Sequence, residues 1–486
     1  MIDLTLNEKQ LANVVERARE KNIIIPTLAQ QKNPELIPQK IKDELKDIGL
    51  EDLHPRNLFR ITWKNEPKKH GGLYGNVNYV EIPPEISGVK ARIFVVLGHW
   101  FPIRAHKVGA TFGCLVPQLV TGQFDPTLHE AAWPSTGNFC RGGAYNSALL
   151  GCKSIAILPE EMSAERFEWL KKVAGEIIAT PGCESNVKEI FDKCWELKEQ
   201  RKNVVIFNQF EEPGNHLWHY AVTGSAMVDV LKGNMREGDR FQGVITSSGS
   251  AGTTACGDFI KEVFPQSKIA VAEALQCPTL LYNGFGGHKI EGIGDKHIPW
   301  IHNSRNTDLV VAVDDNHCMN LARLFNEEEG HKYLKKQGVS DETLGQLPYL
   351  GISSICNLLS TIKMAKYYEM NEKDVLITVA TDGMDLYETR LQDLRKEFGD
   401  YKEVDAAKDY HGSLMATAID NMLELTYYEK KRIHSLKYYT WIEQQQRDVE
   451  ELNAQWEDPG YWKKIHAMEE KIDDKINEFN DRVGIQ

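Results

Sequence analysis

The sequence predicts an α/β protein built on two mainly parallel sheets. Short Val- and Ile-rich runs recur along the chain, as strands buried on both faces require, and each is followed by a segment of helical periodicity. There are seven such runs, more than one compact sheet normally holds, so two sheets and two domains are expected. A length of 486 residues accommodates two packed domains with additions at either end.

In chain order, a charged, helix-prone start of about 50 residues comes first, then a stretch from Lys64 to Pro84 rich in Gly, Asn and Pro that reads as a loop or hairpin insertion. The expected strands follow: ARIFVVL at 91–97, KSIAILP at 153–159, NVVIFN at 203–208, FQGVIT at 241–246, KIAVAEA at 268–274, DLVVAVD at 308–314 and DVLITVA at 374–380. Beyond about residue 390 the composition turns charged, with Tyr and Trp on helical spacing. This reads as a helical extension packed on the core or on a second subunit.

A formal net charge of −13 gives no overall attraction to nucleic acid or an anionic membrane, which leaves a small molecule as the expected partner. No apolar run approaches the roughly 20 residues needed to span a bilayer. The opening residues lack the basic and apolar regions of a signal peptide, so a cytoplasmic location is expected. Nine cysteines are scattered without a CxxC pair and are expected to be reduced and buried.

Parallel sheets bind ligands at the carboxyl ends of their strands, and four loops there carry chemistry. The first, GHWFPIRAHKVGAT, places Lys107 beside an apolar segment at a helix start, where desolvation would favour the neutral, nucleophilic amine. In the second, PSTGNFCRGGAYNSALLGC, residues Ser135, Thr136, Gly137 and Asn138 bring hydroxyl, amide and backbone donors to a helix start that suits an anion or a plain N-cap. The third, TSSGSAGTTACGDF, offers backbone N–H groups from Gly249 to Thr253 as a phosphate cradle. It lacks the spacing of a dinucleotide or ATP loop. The fourth, LGISSICNLL, pairs Ser353 and Ser354 at a helix start.

Taken together and in this order, the loops resemble the cysteine synthase / cystathionine beta-synthase-like branch of the fold-type II pyridoxal phosphate-dependent enzymes, the tryptophan synthase beta-like superfamily. The resemblance covers roughly residues 90–390. It rests most heavily on PSTGNFCRGGAYNSALLGCKSIAILPEEMSAERFEWLKKVAGEIIAT, with FNQFEEPGNHLWHYAVTG, ITSSGSAGTT, HKIEGIGDKHIP and GISSICNLL each similar to a family motif. It implies two three-layer αβα domains and pyridoxal 5'-phosphate as cofactor. The implied division gives an N-terminal helical extension at 1–50, a large cofactor-binding domain at 51–106 and 219–390, a small mobile domain at 107–218, and a C-terminal helical extension at 391–486. A homodimer is implied as well.

The same resemblance assigns roles. Lys107 aligns with the lysine that holds the cofactor as a Schiff base. Asn138 matches the asparagine at the cofactor's 3'-oxygen, and Ser135, Thr136 and Gly137 match the loop that grips the substrate carboxylate. Gly249, Ser250, Ala251, Gly252 and Thr253 match the phosphate loop, and Gly292 and Gly294 a glycine segment near the cofactor. Ser354, with Ser353 as the alternative, matches the hydroxyl facing the pyridine nitrogen. A hydroxyl there would not hold the ring protonated, which favours expulsion of a β-substituent over transamination. The implied activity is β-elimination or β-replacement on a serine- or cysteine-derived amino acid through an aminoacrylate, as a lyase or transferase at a carbon–sulfur or carbon–oxygen bond. A serine/threonine dehydratase-type ammonia-lyase and a non-catalytic cofactor-binding scaffold subunit are the alternatives.

The chain departs from the family at His106 and Val108, which flank the lysine, at Phe139, a substrate-side position where threonine is usual, and at Ala251, where glycine is common. His106 reads either as a second acid or base or as a packed histidine. His216 and His219 have no partner at metal-ligand spacing, so no metal site is expected. Asp382 either lines the cofactor's edge or closes a turn.

Overall fold

The computed structural model describes residues 1–66, 72–135, 137–182 and 186–485. Eleven strands are present among them: β1 (Tyr79–Ile82), β2 (Arg92–Leu97), β3 (Glu130–Pro134), β4 (Lys153–Pro159), β5 (Glu176–Thr180), β6 (Val204–Ile206), β7 (Arg240–Ser247), β8 (Lys268–Ala274), β9 (Leu309–Val313), β10 (Asp374–Ala380) and β11 (Met422–Glu424). They form a seven-stranded sheet in the order β1-β2-β10-β7-β8-β9-β11 and a four-stranded sheet in the order β5-β4-β3-β6. Every pairing is parallel except the two at the edges of the larger sheet, where β1 meets β2 and β11 meets β9 antiparallel.

All seven Val- and Ile-rich runs are strands. Their double burial is visible in β2, where Phe94 and Val96 enter one apolar cluster and Ile93, Val95 and Leu97 enter another on the opposite face. Helices close both faces, which makes the larger sheet the middle of an αβα sandwich.

Four strands lay outside the expected series, each for a local reason. β1 belongs to the Gly- and Asn-rich stretch and pairs as an antiparallel edge; residues 67–71 of that stretch lie outside the described residues. β3, Glu-Ala-Ala-Trp-Pro, has no β-branched residue, and β5 is a half-exposed edge of the smaller sheet. β11 corrects the expectation of a wholly helical C-terminal region. Met422–Glu424 leaves the helices to cover the open edge of β9, the more economical way to satisfy that row of backbone groups.

Candidate active site

The carboxyl ends of the strands from both sheets open onto one cleft, the place where parallel sheets bind ligands. The turn after β2 supplies His106 and Lys107, the turn after β3 supplies Ser135, Asn138 and Phe139, and the turn after β7 supplies Ser247, Gly249, Ser250, Ala251 and Thr253. The long connection after β8 adds Gly292, Ile293 and Asp295, helix Ile352–Tyr367 adds Ser353 and Asn357, and the end of β10 adds Thr381 and Asp382.

Lys107 opens helix Lys107–Val120, and its Nζ donates to Ser250 Oγ at 3.1 Å. Ser250 Oγ also accepts from Asn215 Nδ2 at 3.0 Å, and Asn215 is pinned by a second bond, to the carbonyl of Gln209 at 2.9 Å. The loop around Ser250 is shaped as an anion cradle. Ala251 takes the left-handed conformation at φ +59°, and the loop runs into the N-terminus of helix Ala255–Val263. Among the described residues, the amide N–H groups of Ser250, Ala251 and Thr253 donate to no backbone carbonyl, so they are available to a phosphate. Gly252 faces away from the cleft. A Cβ there would lie 2.1 Å from Asn215 Oδ1, so the glycine lets the loop close on the asparagine that positions Ser250.

Across the cleft, Ser135 Oγ receives the amide of Gly137 at 3.2 Å and Gln209 Nε2 at 3.0 Å. Thr136 lies outside the described residues. Asn138 begins helix Asn138–Leu149. Its Nδ2 donates to Asp382 Oδ2 at 2.5 Å and its Oδ1 accepts from Arg141 at 3.2 Å. Phe139 is buried against Trp133 and still reaches the cleft wall.

Asp382 is therefore more than a turn residue. It is buried, accepts from Tyr387 Oη at 2.7 Å as well as from Asn138, and leaves Oδ1 without a partner; burial raises its carboxyl above the usual range. His106 resolves toward packing. Its Nδ1 lies 3.2 Å from the Thr381 carbonyl, an acceptor, so the proton resides on Nδ1 and Nε2 accepts from Thr253 Oγ1 at 3.2 Å. Burial, followed by the charge of Lys107, holds its imidazole down at about 3, neutral at physiological pH. His219 is likewise buried, bonded to Thr223 Oγ1 at 2.9 Å.

The two paired serines separate. Ser353 reaches the cleft wall and bonds Thr381 Oγ1 at 3.0 Å, whereas Ser354 is fully buried, absent from the wall, and its Oγ finds no partner. Successive residues on a helix point about 100° apart, so one of the pair faces the cleft and the other does not. This corrects the choice of Ser354 in favour of Ser353. Gly294, the second glycine of its segment, is also off the wall, holding the Ser248 carbonyl at 2.9 Å.

One buried carboxyl group on the cleft wall lies in a stretch where the sequence singled out only glycines. Asp295, inside the quoted stretch HKIEGIGDKHIP, is buried on the cleft wall with Oδ2 unpartnered. Desolvation pushes its carboxyl up to about 7, with the positive charge of Lys107 acting against that rise. A polar residue within a glycine-rich segment was the available signal.

The fold and site define a two-sheet α/β enzyme in which a lysine, a glycine- and serine-rich anion cradle and two buried carboxyl groups meet. That donor set fits pyridoxal phosphate, with unspent amides for its phosphate, an amine for its aldehyde, and the Ser353 hydroxyl on the wall for its ring. Comparison with known proteins agrees. The family model described as pyridoxal-phosphate dependent enzyme matches residues 128–332. A probable cysteine synthase of Bacillus subtilis is 32% identical over 243 residues, which are 49% of this chain and 76% of that protein. A cysteine synthase of Staphylococcus aureus is 31% identical over 198 residues, 40% of this chain and 62% of its own length. A hydrogen sulfide-producing enzyme of Fusobacterium nucleatum superposes with a TM-score of 0.55 at 23% identity, covering 64% of this chain and 97% of that one. The chain belongs to the family of pyridoxal-phosphate dependent enzymes, and pyridoxal phosphate is its cofactor. Among the described residues, no helix is long and apolar enough to cross a membrane.

Proposed function

We propose that this enzyme carries out β-elimination or β-replacement on a serine- or cysteine-derived amino acid, with Lys107 as the residue that holds the cofactor. The observation that carries this reading is the position of Lys107 Nζ, 3.1 Å from Ser250 Oγ at the rim of the amide cradle. When bound, pyridoxal phosphate supplies an aldehyde for an amine and a ring that draws electrons from the substrate's α-carbon. Lys107 would hold the cofactor, and its amine would be the base placed to take the substrate's α-proton. Ser135, on the opposite wall, receives the substrate carboxylate. Asn138, Phe139 and the buried surroundings keep water from the reacting carbon. Asp295, a carboxyl group poised near neutrality, takes a proton from an incoming water or thiol, or gives one to the departing β-substituent. Ser353, on the cleft wall, would present a hydroxyl to the cofactor's ring, which suits loss of a β-substituent.

The test is direct. Purified protein should be yellow from the bound cofactor, and Lys107→Ala should lose the visible band together with at least about 100-fold in turnover. A panel of cysteine, serine, threonine and O-acetylserine, read for sulfide, pyruvate, ammonia and new amino acid, identifies the substrate. A colourless protein that gains no band on adding pyridoxal phosphate overturns the proposal.

A further inference from the structure

Away from the cleft, His216, Asp258 and His466 come together from helices Pro213–Trp218, Ala255–Val263 and Tyr461–His466. The two histidines face each other through Nε2 atoms 3.0 Å apart, and Asp258 Oδ2 lies 3.8 Å from each. The point equidistant from these three atoms in their plane is about 2.1 Å from each, the length of a bond from zinc to nitrogen or oxygen.

The surroundings prepare the donors. His216 Nδ1 lies 3.1 Å from the Ile301 carbonyl, which only accepts, so the proton sits on Nδ1 and Nε2 presents a lone pair. Asn306 Nδ2 donates to Asp258 Oδ1, and Asn303 Nδ2 donates at 2.8 Å to Oδ2, the oxygen that faces the two histidines. Tyr220 stacks on the His466 ring at 3.7 Å and fixes its plane. A surface cleft of about 880 Å³, lined by Asp258, Asn303, Asn306, Gln455 and His466 among others, leads in from solvent and leaves room for a water ligand.

We infer that His216, Asp258 and His466 bind one divalent transition-metal ion of the zinc type, with solvent completing its coordination. The ion would staple the C-terminal helices to the core beneath the cofactor. His216 follows Asn215, which holds Ser250, and Asp258 sits in the helix that starts just after the phosphate cradle.

The holoenzyme is stripped with a chelator, exposed to Zn²⁺, desalted and assayed for metal. The wild type should retain about one equivalent more than His466→Ala or Asp258→Asn, and calorimetric titration with Zn²⁺ should show roughly a 100-fold weaker Kd in each variant. Zn²⁺ should raise the melting temperature of the wild type and leave that of the variants unmoved. The visible cofactor band reports folding in every sample; if His466→Ala loses it, His466→Gln takes its place. Wild-type protein that retains no metal, or no more than the variants, overturns the inference.

Discussion

Asp295 illustrates what burial does to a single carboxyl group. An aspartate in an unfolded chain titrates near 3.8, and in the cleft the same group is pushed up to about 7. Between these values the folded chain keeps a proton that the unfolded chain releases. The associated stability is therefore fully present below about pH 4 and is lost as pH rises through 7, a swing on the order of 4 kcal/mol. Asp295→Asn, which cannot ionise, should leave the melting temperature of the cofactor-free protein near that of the wild type at pH 4 and raise it at pH 8. Equal differences at the two pH values would refute this account. The residue scale also shows where reading single motifs fell short. Lys107, Ser135, Asn138 and Ser250 stood out in loops at the ends of strands, whereas Gln209 and Asn215, although inside a quoted motif, and Thr381 gain meaning only from neighbours distant in the chain.

Helix Lys107–Val120 is held in place by its small residues. Gly109 and Gly113 lie four apart, hence on one face, and that face meets Trp218 and the backbone of Gly214 in helix Pro213–Trp218. A Cβ on Gly113 would stand 2.3 Å from the Gly214 carbonyl oxygen, and neither backbone can yield without moving a helix that supports the cleft. Gly113→Ala should therefore cost about 1–3 kcal/mol in urea unfolding and weaken cofactor binding, because the displaced helix carries Lys107 at its first position. Unchanged unfolding and an unchanged cofactor titration would show the contact to be adaptable. Element types were legible wherever the apolar pattern was strong, as in β2, β8 and β10. They were hidden where a strand draws its stability from partners, as in β3, whose Ala-Ala core is flanked by β4 and β6 in the smaller sheet.

Over the whole molecule, the two end regions close on each other. Helix Met468–Val483 lies against helix Glu8–Glu20. Asp473 caps the amides of Leu28 and Ala29 at 2.6 and 3.0 Å, and Asn480 exchanges two bonds with the backbone of Ile25. Ile472, Ile476, Phe479 and Val483 join the same apolar cluster as Leu115 and Leu119, on the helix that begins with Lys107. Burying four such side chains contributes about 6–12 kcal/mol, comparable with the net stability of a typical fold. A chain ending at residue 467 should accordingly be recovered largely insoluble, or melt at least about 5 °C lower with cofactor present. A soluble truncation with the wild-type melting temperature would mean that the tail is dispensable to the core.

By itself, the sequence determined the α/β class, the strands with double-sided burial, the loops at their carboxyl ends and, through family motifs, the cofactor. Those features are written in local periodicity and contiguous motifs, which need no knowledge of distant contacts. Only the tertiary structure decided that Ser353 rather than Ser354 faces the cleft, that Asp295 and Asp382 are buried carboxyl groups within it, and that His216 meets Asp258 and His466. The reason is that desolvation and side-chain direction are properties of packing, set by residues hundreds of positions away.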